Sequence, residues 1–312
     1  MEQETTYWHL PGLCHFGMIN HVLFDTMRKY PDKFRDNIKI GSVYGTFPWA
    51  VWNGGRNIMD SFVSKNDVDK IIRSYNALKI PARFTWTNVL LQEEHTYDSY
   101  CNMIMRVGDN GLNQVLVNSP VLEEYIRKTY PNYKVISSTT KRIVSVDRLL
   151  EELEKDYYLV VLDYDLNHDE KAIERILPHA GRIEILVNET CQPHCPLRAA
   201  HYREISKHQL EFDTDIRFPC SDPAPDKRTF AGCMKRPSFM SNSDIDEYVK
   251  KGFKNFKIVG RGEGKGFYLD SIIYYLVKPE SRDFIGKYFN DTLAKMGGLP
   301  TRDESRRQSG KR

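Results

Sequence analysis

Residues Val187 to Tyr202 read VNETCQPHCPLRAAHY. Ile183, Ile185 and Val187 give the run an apolar strand that passes into a polar turn and then a helix. Cys191 and Cys195 sit on that turn with three residues between them. A strand end that delivers thiols into a loop is a place for ligands rather than for packing. Two more cysteines, Cys220 and Cys233, follow in a Pro- and Asp-rich stretch.

The rest of the chain repeats the same rhythm of strand, polar end and helix. Strands are expected at 7–12, 37–43, 82–87, 114–118, 134–138, 158–163, 182–188 and 255–260. Helices are expected around 16–30, 65–78, 91–105, 120–130, 146–155, 170–177, 196–209, 243–252, 268–277 and 281–296. About eight strand–helix units are what a (β/α)₈ TIM-like barrel requires. Several strands are apolar on successive residues, as parallel strands buried on both faces should be. A doubly wound open sheet is the rival, but it explains less well why polar residues gather at nearly every strand end. The expected organisation is one α/β barrel over residues 1–298. A cysteine-bearing insertion at 206–242 precedes the last strand, and a disordered basic tail covers 299–312.

The polar strand ends are Asn53 and Arg56, Thr87 and Asn88, Asn118 and Ser119, Ser138 and Thr139, Asp163 and Asp165, Asn188 and Glu189, and Arg261. In a barrel these converge on the C-terminal face, where active sites lie. Helix N-caps want Asn, Ser, Thr and Asp at the same places. Arg56, Glu189 and Arg261 are poorer caps and therefore better functional candidates. Tyr44 to Arg56, YGTFPWAVWNGGR, is a long aromatic loop. It either packs over the barrel's own mouth, the reading we favour, or offers a protein-partner surface.

Composition narrows the classes. The chain has 312 residues, 40% hydrophobic and 28% charged, within the range of globular domains. Its net charge of +3 comes from 45 basic and 42 acidic residues, and the last fourteen residues account for the excess. A neutral body argues against a large non-specific nucleic-acid surface. The start, MEQETTYWHL, has neither the basic nor the apolar region of a signal peptide, and no apolar run is long enough to span a bilayer. The expected compartment is the cytoplasm, with no membrane partner.

Four of the six cysteines fall within 43 residues, which in a cytoplasmic chain points to metal before disulfides. Cys14 and Cys101 are isolated and read as small buried hydrophobes. Four thiolates can hold a tetrahedral zinc or an iron–sulfur cluster. Structural zinc sites favour two-residue knuckles, which are absent here, and wider spacing suits a bulkier cluster. Four unrelated thiols are the alternative. A radical S-adenosylmethionine motif would need its third cysteine at 198, which is Arg198. No HExxH or GxSxG is present, so hydrolysis finds no motif. Gly260 to Gly266, GRGEGKG, follows the last strand, and its backbone amides with Arg261 and Lys265 suit an anion.

The run FMSNSDIDEYVKKGFKNFKIVGRGEGKGFYLDSIIYYL resembles the signature of the peptidase U32 family. There a helix, a Gly and a strand reading KIEGR lead to a helix carrying a Tyr. The matching positions are Gly252, Lys257, Ile258, Gly260, Arg261 and Tyr268, while Val259 replaces the usual acidic residue. The order of four cysteines is also similar, with different gaps, so the chain looks like a divergent member. The resemblance covers mostly 160–275.

It implies a barrel similar to proteins of oxygen-independent hydroxylation, with a 4Fe–4S cluster near the substrate opening. Metal ligands would be Cys191, Cys195, Cys220 and Cys233. By their position at the strand ends, Glu189, Asp163 and Arg261 are the catalytic candidates. Arg56, Lys257, Gly260, Arg261 and Lys265 would bind a cofactor or an anionic cosubstrate. The substrate would be a small molecule or RNA, and a protein partner or hetero-oligomer is left open. The alternatives are a peptidase or hydrolase of the U32 type, or a non-catalytic binding module stabilised by zinc or a cluster.

Overall fold

The computed structural model describes residues 4–55, 62–213, 218, 226, 229–260 and 263–297. Arg56, Cys220, Arg261 and the tail at 299–312 lie outside the described residues.

Eight parallel strands close into a barrel in sequence order, because β8 pairs back onto β1. The chain runs β1 (Thr6–Pro11), α1 (Gly17–Lys29), β2 (Ile38–Gly45), α2 (Lys65–Asn76), β3 (Ala82–Trp86) and α3 (Ser99–Gly108). It continues with β4 (Gln114–Val117), α4 (Pro120–Thr129), β5 (Lys134–Ser137), α5 (Val146–Leu153), β6 (Leu159–Val161) and α6 (Glu170–Ile176). Then come β7 (Ile183–Leu186), α7 (Arg198–Glu211), a four-residue α8 (Phe230–Cys233), α9 (Asn242–Lys250), β8 (Asn255–Lys257), α10 (Lys265–Leu276) and α11 (Arg282–Lys295). The expected barrel is the observed fold. The single helix expected at 91–105 is a 3-10 turn followed by α3, because Asp98 ends the first and caps the second through the Cys101 amide at 2.7 Å.

Strand side chains alternate between two environments. Trp8, Phe84, Trp86, Val115, Val135, Ile185 and Phe256 belong to the large apolar core shared with the helices. Leu116, Ile136, Leu159, Val161, Leu186 and Val259 form a separate, smaller cluster. Their alternation with the helix-facing residues puts them inside the barrel.

Below that cluster the interior is charged. Arg83 on β3 is fully buried and spends all three guanidinium nitrogens on side chains. Nε donates to Gln114 Oε1 at 2.8 Å, Nη1 to Glu184 Oε2 at 2.5 Å and Nη2 to His9 Nδ1 at 2.9 Å. Glu184, on β7, also meets His9 Nε2 at 3.3 Å and Lys257 Nζ at 3.4 Å. Burial would raise its carboxyl, but Arg83, His9 and Lys257 outweigh it and hold the pKa at about 2. His9 is driven the other way, down to about 3, by burial and then by Arg83. It is therefore neutral, accepting at Nδ1 and carrying its proton on Nε2. Its ring needs room from β2. The β1–β2 register shifts between Trp8 and His9, so that Gly41 is skipped, and a Cβ on Gly41 would lie 2.6 Å from His9 Cε1.

Both depressed pKa values tie stability to pH. Unfolded, His9 takes up a proton near pH 6.5, while the folded chain refuses it down to about pH 3. The Glu184 contribution is present above the unfolded value near 4.5 and is lost as pH falls towards about 2. The His9 window opens first. Urea denaturation should show a loss of about 1 kcal/mol per pH unit between pH 6 and 5, and His9→Gln should flatten that slope. Glu184→Gln, which strands Arg83 and Lys257, should cost about 3–5 kcal/mol at pH 7.

Candidate active site at the barrel mouth

Above the charged layer the barrel opens into a cleft of about 470 Å³, counted out to open solvent. Lys257 and Leu186 lie at its base. Thr85, Thr87, Ser138, Thr139, Thr140, Tyr44, Tyr202 and Glu189 line its walls. Lys257 Nζ lies 4.3 Å from the centre of the Tyr44 ring, whose hydroxyl donates to the Ile258 carbonyl at 2.8 Å. Lys257 thus ties the cleft to the charged layer through Glu184.

Of the residues expected to act, Glu189 and Lys257 come together in this cleft. Glu189 is 6% exposed, and its Oε1 accepts the Cys191 amide at 3.1 Å. Asp163 is buried and accepts Arg142 Nη1 on both oxygens, at 2.7 and 2.6 Å. Burial still pushes its carboxyl upward against the pull of Arg142. Gly260 is packed against Pro11, where a Cβ would meet Cγ at 2.7 Å, so its small size has a packing cause. Lys265 is exposed at the start of α10.

The thiols converge in part. Cys191 and Cys195 are half-buried, and Cys191 packs against the barrel's inner apolar cluster. Cys233, at the end of α8, is fully buried, and its Sγ donates to the Asn188 carbonyl at 3.2 Å and lies 3.6 Å from the Glu189 carbonyl. It is thus folded back onto the strand end from which the Cys191 turn departs. Burial, then Glu189, pushes its thiol up. Phe218, two residues before Cys220 in sequence, stacks on His201 of α7 at 4.7 Å. Among the described residues, no group of three or more His, Cys, Asp and Glu is placed to hold a metal ion.

Capping explains several polar strand ends. Ser119 caps α4, Ser138 accepts the Thr140 amide at 3.1 Å, and Asp163 accepts the Asp165 amide at 3.1 Å. Asn88 and Asn188 instead stitch loops to neighbours, Asn88 through the Val51 and Ser206 carbonyls and Asn188 through the Val259 carbonyl and amide. The aromatic loop is mostly packed inward. Phe47 and Trp52 are fully buried, and Trp49 stays 39% exposed against Phe212. Tyr202 and Thr85 were not singled out from sequence. For Thr85 the signal existed, since Arg83, Thr85 and Thr87 alternate with Phe84 and Trp86 and so share the inner face.

A Ser–His–carboxylate constellation is also present. Ser42 Oγ is 2.9 Å from His9 Nδ1, and Glu184 is on the other ring nitrogen. It cannot generate a nucleophile. Nδ1 already receives Arg83, the imidazole is a very weak base, and all three side chains are buried.

No protein-family model matches the chain. A curated protein of Methanocaldococcus jannaschii, described as the uncharacterized protease MJ1657, is 27% identical over 190 residues, covering 57% of this chain. The match spans 54% of that protein, about half its length. Among solved structures, that of the U32 peptidase Mk0906 superposes with a TM-score of 0.52 at 14% identity, covering 84% of this chain and 95% of the other. Among the described residues, no helix is long and apolar enough to cross a membrane.

Burial separates the described thiols. In folded, metal-free protein, iodoacetamide should label Cys191 and Cys195 well before Cys233 and Cys101, read by peptide mass spectrometry; equal labelling would contradict this packing. The chain has the closed barrel of a U32 peptidase structure and, in its last strand–helix motif, resembles that family as a divergent relative.

Proposed function

We propose that the chain is a U32-type iron–sulfur enzyme, an oxygen-independent hydroxylase or related redox modifier of a small molecule or RNA. The observation that carries this is the position of Cys233. It is far along the chain from Cys191, yet its sulfur rests on the carbonyls of residues 188 and 189, at the root of the Cys191 turn. Four-thiolate ligation suits the donor set, and Cys191, Cys195, Cys220 and Cys233 would hold a 4Fe–4S cluster. When bound, such a cluster supplies one-electron chemistry.

The chain's own residues would do the rest. The hydroxyl-lined cleft would orient the substrate, with Lys257 at its base. Glu189, buried between the cleft and the cysteine turn, would hold or move a proton at its carboxylate. Asp163, fixed by Arg142, would do so only from within its ion pair. Arg56 and Arg261, outside the described residues, are proposed to anchor an anionic cosubstrate with Lys265. The compartment proposed is the cytoplasm.

The hydrolase reading draws on the names of the two similar proteins, one called a protease and the other a peptidase. In its disfavour, the Ser42–His9–Glu184 group is sealed and its base is occupied.

Anaerobic purification should give a brown protein with broad visible absorption and iron near four per chain, as expected for this cluster type. Cys191→Ser and Cys233→Ser should each lose most of the iron. A colourless protein with stoichiometric zinc would favour the binding module, and peptide cleavage surviving Cys191→Ala would favour a hydrolase.

A further inference from the structure

The turn that carries Cys191 and Cys195 is tied at Thr190, Cys191, Gln192 and His194, at three of them by groups from neighbouring elements. Thr190 Oγ1 donates to Glu263 Oε1 at 3.2 Å, and the Cys191 amide donates to Glu189 at 3.1 Å. The Gln192 carbonyl accepts Arg198 Nη2 at 2.9 Å and the Tyr164 hydroxyl at 3.4 Å, and the Arg198 guanidinium lies 3.9 Å from the centre of the Tyr164 ring. The His194 amide donates to Asp165 Oδ1 at 2.9 Å.

Asp165 is the junction. Its other oxygen accepts Arg142 Nη2 at 2.7 Å, while Arg142 Nη1 grips Asp163. One guanidinium and one carboxylate therefore join the loops that leave β5, β6 and β7. Both ends of this link adopt unusual backbone. Arg142 has φ 57° and His194 φ 53°, the left-handed region that residues other than glycine seldom enter. Such conformations persist where the surroundings over-determine them, and they cluster at functional sites.

We propose that Arg142 and Asp165 are positioning residues, a brace that fixes the backbone of the cysteine turn before any ligand arrives. They act through the His194 amide, at the residue before Cys195. The brace sets the path of the chain between the two thiols, so the sulfurs do not have to be ordered when a metal centre binds. That the turn carries cluster ligands rests on the function proposed above; that it is braced does not.

The test uses the full chain and two readouts. In metal-free protein, hydrogen–deuterium exchange of the amides at 190–196 should quicken about tenfold or more in Asp165→Ala, with β1–β4 unchanged. Asp165→Asn keeps an oxygen for the His194 amide and should fall between the two. In anaerobically loaded protein, iron loss to a chelator should be about 10–100-fold faster in Asp165→Ala than in the parent. Should Asp165→Ala exchange faster everywhere, Arg142→Gln reads the same link from its other, partly exposed side and should loosen 190–196 together with the two loops that Arg142 joins, leaving β1–β4 unchanged. Unchanged exchange at 190–196 in these variants would overturn the brace. A parent chain that takes up no iron would sink the cluster reading while leaving the exchange result to decide the brace.

Discussion

The contact on which the barrel turns is the ion pair between Arg83 and Glu184, which crosses the interior from β3 to β7. Neither group reaches water, and a lone charge there would carry a desolvation cost of several kcal/mol, to order of magnitude. The pair is tolerated because each member is satisfied further. Arg83 reaches Gln114 and His9, while Glu184 meets His9 and Lys257. The consequences spread to both neighbours of the pair. His9 must stay neutral, and β2 must drop Gly41 out of register to seat its ring. Lys257, the register partner of His9 on β8, is tethered beneath the cleft with its ammonium against the Tyr44 ring. The charged layer and the apolar cluster thus underlie a mouth whose walls carry hydroxyls, with Lys257 and Glu189 among them.

The barrel was legible because its strands are apolar on successive residues and its strand–helix units number eight. Strand ends were less so. β7 was expected over 182–188 and spans Ile183–Leu186, although Val187 still donates to the Lys257 carbonyl at 3.1 Å. The ladder fades there because the chain peels away towards the cysteine turn. The charged floor was not legible. His9, Arg83 and Glu184 are scattered along the chain, and which side chains meet across a barrel depends on strand stagger, a property of closure.

The mouth was legible in a graded way. Glu189, a strand-end candidate, lines the opening, and so does Lys257, which the sequence offers only as a motif position within the last strand; Cys233 touches the root of the β7 turn. Asp165 reads in the sequence only as a polar strand end, since a carboxylate two residues after another suits a cap. Its partner Arg142 sits beyond a 3-10 turn in an irregular segment, where no periodicity marks it. Gly260 looks in the sequence like an anion-loop residue, and its tight contact with Pro11 supplies a packing reason for glycine.

β7 and β8 bond directly to one another, Leu186 beside Lys257, although the whole cysteine-bearing excursion is strung between them. The hoop of strands therefore closes by its own ladder, and the excursion is pinned back to its point of departure where the Met240 amide donates to the Val187 carbonyl at 2.9 Å. A change of length or sequence within the excursion therefore need not disturb the β7–β8 ladder that closes the hoop.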